Sequence, residues 1–474
     1  MNEKINFLKQ GLRNISYTFI AQGINLVISL VKVLFIPKLI GINDFSHWQL
    51  YVFYSGYVGF FQFGLNDGIY LRYGGHNYRD LDKSVFRSQF WLLLFSQIII
   101  ALCMLWYSGL FLNERAYIIK VTSVCLVLSG ISTFFWFVFQ CTNRIKEYAI
   151  AITTEKMMFL FGVVIMLISN ESHYQPFLLI DILSKLIGLI VCITFGKDLI
   201  VGRVTSLKIS LTEIYSNMSV GLKLMLANIS SMLILGIGRY VIDYVWGVTV
   251  FGELALMLSI VSMFLLFINA TSIALFPALR RISVEELPKT YVSIRNILMG
   301  LLLSILILYV PAKILLNIWF PEYQDSIKYL SILLPLCIFD GKMQMLVSTY
   351  LKVIRKENSL LTINIICVLL SALLCISTAI IFKNLTGVII SMVVSVFIRS
   401  IIAEVYLALQ LKVSLIRSVF YETLLILTFS ITSWYLIDTI NIIIYLIFYL
   451  IFLVSIRKEA SLLSGIIKNV KSAK

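Results

Sequence analysis

Polar residues in this chain punctuate long apolar runs and do not alternate with apolar ones. Stretches of about 20 residues rich in Leu, Ile, Val and Phe recur along the sequence, separated by short clusters of Gly, Asn, Asp, Lys and Arg. Runs of that length match α-helices crossing the ~30 Å hydrocarbon of a bilayer. A spanning strand needs only ~10 residues of alternating character, and helices and closed barrels are the only structures that satisfy their backbone within lipid. The pattern therefore predicts an all-α polytopic membrane protein. Spans are expected at 15–39, 47–66, 90–112, 116–140, 148–168, 175–197, 218–238, 246–277, 291–311, 326–349, 359–382, 385–411, 418–437 and 440–456, about fourteen in all. The last two are separated least clearly, at Asp438 and Thr439.

A weak repeat at an offset of 206 residues groups these spans. Ala21, Gly41, Phe45 and Leu50 match Ala227, Gly247, Phe251 and Leu256, each set lying across the turn between the first two spans of a six-span half. The expected organisation is an N-lobe at 15–197, a cytoplasmic linker at 198–217, a C-lobe at 218–411 and a final helix pair at 418–456. Six spans return the chain to its starting side, so the repeat is parallel. Residues 1–14 (Ile5, Leu8 and Leu12 with Lys4, Lys9 and Arg13) and the tail 457–474 are expected to be basic amphipathic segments on the inner leaflet. The first run is too long for a signal-peptide core, and Pro37-Lys38 is no small-residue cleavage site, so it is expected to be retained.

Charge sets the orientation. The chain of 474 residues is 60% hydrophobic and 13% charged, with a net charge of +15. With both termini inside, the inner segments carry about 26 Lys and Arg against about six outside, as the positive-inside rule demands. This asymmetry accounts for most of the net charge, so no nucleic-acid partner is needed. No loop is long enough for a water-soluble catalytic domain. The seven cysteines form no CxxC and the three histidines are far apart, which argues against a disulfide framework or a metal site.

Seven basic residues remain inside the apolar runs: Lys32, Lys120, Lys156, Lys185, Lys223, Lys342 and Arg399. A cation at mid-bilayer costs about 2.5–3.5 kcal/mol on insertion scales and marks a functional path by default. Lys32 lies past mid-depth with no acid within one turn. It reads as a cavity cation for an anionic headgroup, the alternative being a lysine snorkelling to the interface. Arg399, deepest of the second lobe, offers a planar fork that grips phosphate bidentately. Arg239 aligns within one residue of the repeat equivalent of Lys32 and shares a helix face with Asp243. That suggests one cation per lobe facing a central cleft; the alternative is an interfacial ion pair. Arg72, after the glycine-rich segment Gly64–Gly75, is a candidate phosphate collector at the inner mouth, or an ordinary inner-loop cation. Asp181 and Lys185 stand four apart, either as a neutralised pair or as an ion-coupling site; Glu404 and Asp243 are the other coupling candidates. Lys120 and Lys223 read as snorkelling.

Several of these residues fall in motifs. Arg13-Asn14, Lys38-Leu39-Ile40-Gly41 with Phe45, Gly64 with Arg72, and Gly238-Arg239-Tyr240-Val241-Ile242 with Gly247, Phe251 and Gly252 occur in order along the chain. Together they resemble the polysaccharide-exporter branch of the superfamily that also holds multidrug extruders and lipid II flippases. Three features depart from that pattern: Lys38 stands where arginine is usual, Ser46-His47-Trp48 replaces Gly-x-Tyr, and Asp243 has no clear counterpart. The resemblance implies fourteen spans in two six-helix lobes plus a final pair, a rocking alternating-access cycle, and a lipid-pyrophosphate-linked oligosaccharide as substrate.

The expected function is therefore a flippase of a bacterial cell membrane. It would carry an undecaprenyl-pyrophosphate-linked repeat unit from the inner to the outer leaflet for capsule or exopolysaccharide synthesis. Lys32, Arg239, Arg399 and Arg72 would bind the headgroup. No cofactor is expected, and coupling would be to H⁺, Na⁺ or the membrane potential. Besides substrate and membrane lipids, glycosyltransferases and a polymerase of the same pathway are the expected partners. Two alternatives stand: a multidrug or cation exporter of the same fold, and a membrane polymerase or ligase. The first should carry more unpaired acids than bases. The second needs a convergent set of catalytic groups on the outer loops, where Glu114, Glu171, Glu322 and Asp325 are scattered.

Overall fold

The computed structural model describes residues 23–454 apart from 25, 112, 280–282 and 284. Both expected amphipathic termini, and the start of the first span, lie outside the described residues. Every regular element among those described is helical. In chain order they are α1 (Leu26–Leu34), α2 (Ile36–Tyr57), α3 (Leu65–Tyr73), α4 (Lys83–Ser108), α5 (Glu114–Cys141), α6 (Ile145–Ile168), α7 (Gln175–Phe195), α8 (Leu207–Trp246), α9 (Val248–Leu279), α10 (Leu287–Trp319), α11 (Leu330–Val353), α12 (Glu357–Ile380), α13 (Leu385–Leu411), α14 (Ile416–Tyr435) and α15 (Asp438–Val454). Ten helices among the described residues are long and apolar enough to cross a membrane, or eleven when the bent pair α1–α2 is counted as one. This falls short of the expected fourteen at both ends: the first two expected spans count as one bent span, and neither helix of the last pair is counted. Arg417, Glu422 and several Ser and Thr dilute α14, and α15 is only 17 residues long or shorter.

The chain forms two compact units. The first comprises residues up to Ile229 together with Val248–Gly252; the second comprises Ser230–Gly247 and Glu253 onward. The division thus falls inside α8.

In the first unit α5 is central, packed by α2, α3, α4 and α7. Its core is aromatic: Phe86 and Phe90 from α4 meet Phe134, Phe135 and Phe139 from α5. Phe90 and Phe134 stand edge-on at 5.9 Å, an arrangement worth about 0.5–1.5 kcal/mol. Lipid tails are as apolar as these rings, so close fit and not water exclusion holds such helices together. Hydrogen bonds tie some polar groups inside the unit: Gln62 donates to Thr133 Oγ1 at 2.6 Å and Gln97 to the Phe61 carbonyl at 2.8 Å. Where α3 meets α8, no side chain intervenes. A Cβ on Gly68 would stand 1.9 Å from the Asn217 carbonyl oxygen, and one on Gly221 would stand 2.0 Å from that of Gly64. The glycine-rich segment serves helix packing.

The two turns matched by the repeat share a positive φ at the matched glycine. Gly41 has φ 68° and Gly247 has φ 89°, a left-handed region that glycine enters freely. α1 meets α2 at a 67° bend just before the first. Equivalent residues then touch: Thr249 Oγ1 donates to Asn43 Oδ1 at 3.4 Å, and Gly252 lies against Ser46, each pair 206 residues apart.

In the second unit the most buried span is α11. It is broken after Leu333, restarts beyond Pro335, and contains a π-helical turn at Met343–Val347. Such turns concentrate at functional sites. This one directly follows Lys342.

Candidate functional site

Each unit holds a cluster of buried charge, and the two differ in balance.

The first is built from four helices, three of which supply two side chains at helical spacing. Trp48 and Tyr51 (i, i+3) come from α2, Glu155 and Phe159 (i, i+4) from α6, and Asp181 and Lys185 (i, i+4) from α7; such pairs share a helix face. Lys32 comes from α1. Asp181 accepts from Tyr51 Oη at 2.6 Å and pairs with Lys185 Nζ. Trp48 stacks on Phe159 at 6.0 Å. Lys32 Nζ sits 3.8 Å from the centre of the Phe159 ring and 6.0 Å from that of Trp48, within cation–π range. Glu155, Lys156, Asp181 and Lys185 all lie within electrostatic reach of Lys32. Among the described residues no carboxylate is within ion-pair distance of its ammonium. Lys156 and Glu155 are 4.0 Å apart at their nearest. With every group ionised, three lysines face two carboxylates, a surplus of one positive charge held against aromatic walls.

The second cluster is balanced. Arg295 on α10 is fully buried. Its Nε donates to Glu404 at 2.6 Å, and its two terminal nitrogens donate to the two oxygens of Glu422 at 2.7 and 2.8 Å. Lys342 on α11 donates to the other Glu404 oxygen at 2.5 Å. Arg399 on α13 pairs with Asp340 and donates to Ser231 Oγ at 2.8 Å. Three cations therefore meet three carboxylates, all of them buried.

The sequence-derived candidates distribute as follows. The first cluster joins Lys32, Asp181 and Lys185, with Asp181 fully engaged by Lys185 and Tyr51. Arg399 and Glu404 share α13 but point to different partners, and the charge of each is neutralised there. Arg239 is half-buried and Asp243 is 4% exposed; both lie on the part of α8 in the second unit. Arg72 donates to Glu213 at 3.0 Å and to Asn217 at 2.6 Å, so it ties α3 to α8 beside the glycine contact. Lys120 and Lys223 are exposed.

One placement corrects the sequence reading. The sequence reading does not single out Arg295, yet it is the hub of the second cluster. Its position four residues inside the apolar run starting at Tyr291 was the available signal, as was that of Glu422 inside the run starting at Ser418. Asp198 illustrates loop electrostatics outside the spans. Partial burial pushes its carboxyl up, but bonds from Lys83 and Tyr78 outweigh this and hold it below the usual value.

Charges buried among membrane-length apolar helices mark a polytopic membrane protein, and comparison agrees on the fold. A multidrug resistance MATE family transporter of the MOP superfamily, in an inward-facing conformation, is similar over 82% of this chain and 98% of its own, with TM-score 0.62 and 16% identity. The lipid II flippase MurJ, in an inward closed conformation, is similar over 94% and 99%, with TM-score 0.63 and 12% identity. A MOP superfamily transporter from Pyrococcus furiosus, described as having a binding pocket of reverse polarity, is similar over 85% and 96%, with TM-score 0.53 and 15% identity. At such identities the likeness establishes the fold, that of a MOP-type transporter. No curated protein matches the chain. A family model described as "Polysaccharide biosynthesis protein" matches residues 12–283, more than half of the chain. The protein belongs to that family and is a multi-pass membrane protein.

Proposed function

We propose that this protein is a flippase for a polyprenyl-pyrophosphate-linked oligosaccharide. It moves the headgroup from the inner to the outer leaflet of a bacterial cell membrane during capsule or exopolysaccharide synthesis, with both termini cytoplasmic. The observation that carries this reading is the unbalanced first cluster, in a chain of the polysaccharide biosynthesis family. A sugar headgroup cannot cross hydrocarbon unaided, and its pyrophosphate is strongly anionic. Lys32, with Lys156 and Lys185 nearby, offsets the desolvation of that phosphate. Trp48 and Phe159 hold the ammonium without neutralising it, so its charge remains for the ligand. Arg399 and Glu404 take a structural role in this reading, because each already has its counter-charge. Arg72 remains a candidate at the inner mouth, and Arg239 and Asp243 remain candidates farther along the path.

The multidrug-exporter alternative shares the fold, so the fold does not separate the two. Charge does: a cationic drug favours a surplus of acids, whereas the first cluster has a surplus of bases. The deciding experiment removes the gene and measures which leaflet holds the lipid-linked oligosaccharide. Accumulation in the inner leaflet is the expected result. Normal outward transfer with unpolymerised units outside would favour a polymerase and overturn the flippase reading.

A further inference from the structure

The segment Ser46-His47-Trp48, a departure from the family pattern, borders a cavity that neither charge cluster uses. The cavity is ≈ 230 Å³ and is lined by His47, Leu50, Asn113, Glu114, Arg115 and Val248, all in the first unit. It lies at the end of the helices opposite the basic loops. Its lining is divided. Leu50 and Val248 supply apolar side chains and His47, Asn113, Glu114 and Arg115 supply polar ones, though the accessible lining itself is mostly apolar. The His47 ring is fixed in plane by stacking on Tyr174 at 5.2 Å and by a 3.0 Å contact between Nδ1 and the Asn43 carbonyl. Tyr174 in turn donates its hydroxyl to Glu114. One carboxylate and one guanidinium in the lining leave the cavity without a net preference for anions.

The same helix serves both sites. His47 and Leu50 on α2 face the cavity, while Trp48 and Tyr51, one position on, face the lysine cluster. Successive residues of an α-helix are about 100° apart, so two adjacent faces of α2 present the two sites side by side. A pyranose ring is likewise divided, with an apolar C–H face and a rim of hydroxyls. We infer that this cavity is a subsite for one sugar ring of the headgroup, set beside the lysine cluster that takes its pyrophosphate. The inference rests on the flippase reading. The apolar side chains pack the C–H face, and Asn113, Glu114 and Arg115 take the hydroxyls. A site built to bond hydroxyls discriminates against a ligand that lacks them.

The test uses the full-length protein in lipid nanodiscs and saturation-transfer NMR with the methyl β-glycosides of glucose, galactose and N-acetylglucosamine. At least one should receive saturation at its ring C–H protons. Val248→Trp, which fills the cavity, should abolish the signal, and Glu114→Gln should weaken binding about tenfold; unchanged thermal melting shows that both variants are folded. Inorganic pyrophosphate should not compete. No signal from any glycoside, or equal signals from the wild-type protein and folded Val248→Trp, overturns the subsite. In cells, leaflet assays of the same variants separate the two readings. If the gene deletion gives inner-leaflet accumulation but Val248→Trp transports as the wild type does, the subsite alone fails. If the deletion gives no accumulation, the flippase reading itself fails.

Discussion

Two intramembrane cations that look alike in the sequence call for opposite experiments. Lys32 is held by rings, Arg399 by a carboxylate. Replacing Lys32 with Gln removes a charge that no buried acid depends on through direct contact, so stability should change little. Transport should fall about 10–100-fold, the loss of one or two charge-assisted bonds to phosphate at about 1.5–3 kcal/mol. Lys32→Arg should retain most activity; equal loss in both would mean that shape and not charge is needed at this position. Arg399→Ala strands Asp340, which is 8% exposed. Losing one partner of a buried pair costs about 3–5 kcal/mol, so this variant should melt early and accumulate poorly. The double change Arg399→Met with Asp340→Leu should recover stability and, if the pair is structural, transport as well. Thermal melting in detergent with flux measured on the same preparations distinguishes the outcomes. Recovery of melting without flux would return Arg399 to the substrate path.

At the scale of the helix, the contact of α3 with α8 is the most exacting. Gly68→Ala would set a Cβ 1.9 Å from a backbone oxygen, an atom that cannot rotate away. Gly59 has no atom within 4 Å of the equivalent position. Gly68→Ala should therefore lower the melting temperature by several degrees, and Gly59→Ala should leave it nearly unchanged. If the two melt alike, the close approach is not a determinant of stability. What could be read from sequence follows the same physics. Helix positions were legible because a bilayer demands ~20 apolar residues per span. Lys32, Asp181 and Lys185 were legible because charge inside such a run is conspicuous. Arg295 was not, since it follows Lys289 closely and passes for an interfacial cation; its depth depends on how α10 sits against α11, α13 and α14. The breaks in α11 were equally hidden, although Pro335 marks one of them.

For the whole molecule, the asymmetry between the units has a consequence for energetics. Arg295, Lys342 and Arg399 cancel Asp340, Glu404 and Glu422, so the six charges of the second cluster sum to zero. Only the first cluster carries a surplus. Buried, mutually satisfied pairs are poor proton acceptors, since releasing either partner exposes the other to an unfavourable medium. The driving force is then sought in the cargo. Under an inside-negative potential, an anionic headgroup moved outward gains about 2.3 kcal/mol per net charge per 100 mV. In proteoliposomes loaded with a lipid-linked oligosaccharide, an inside-negative potassium–valinomycin potential should therefore accelerate outward transfer, and collapsing it should slow transfer several-fold. A pH or Na⁺ gradient imposed alone should have a smaller effect. Transfer that follows the Na⁺ or proton gradient and ignores the potential would mean that one of the engaged acids, Asp181 or Glu404, gives up its partner during the cycle. Repeating the measurement with Lys32→Gln tests the same idea from the other side: the rate should fall while the ratio with and without potential persists, because that ratio belongs to the charge of the cargo.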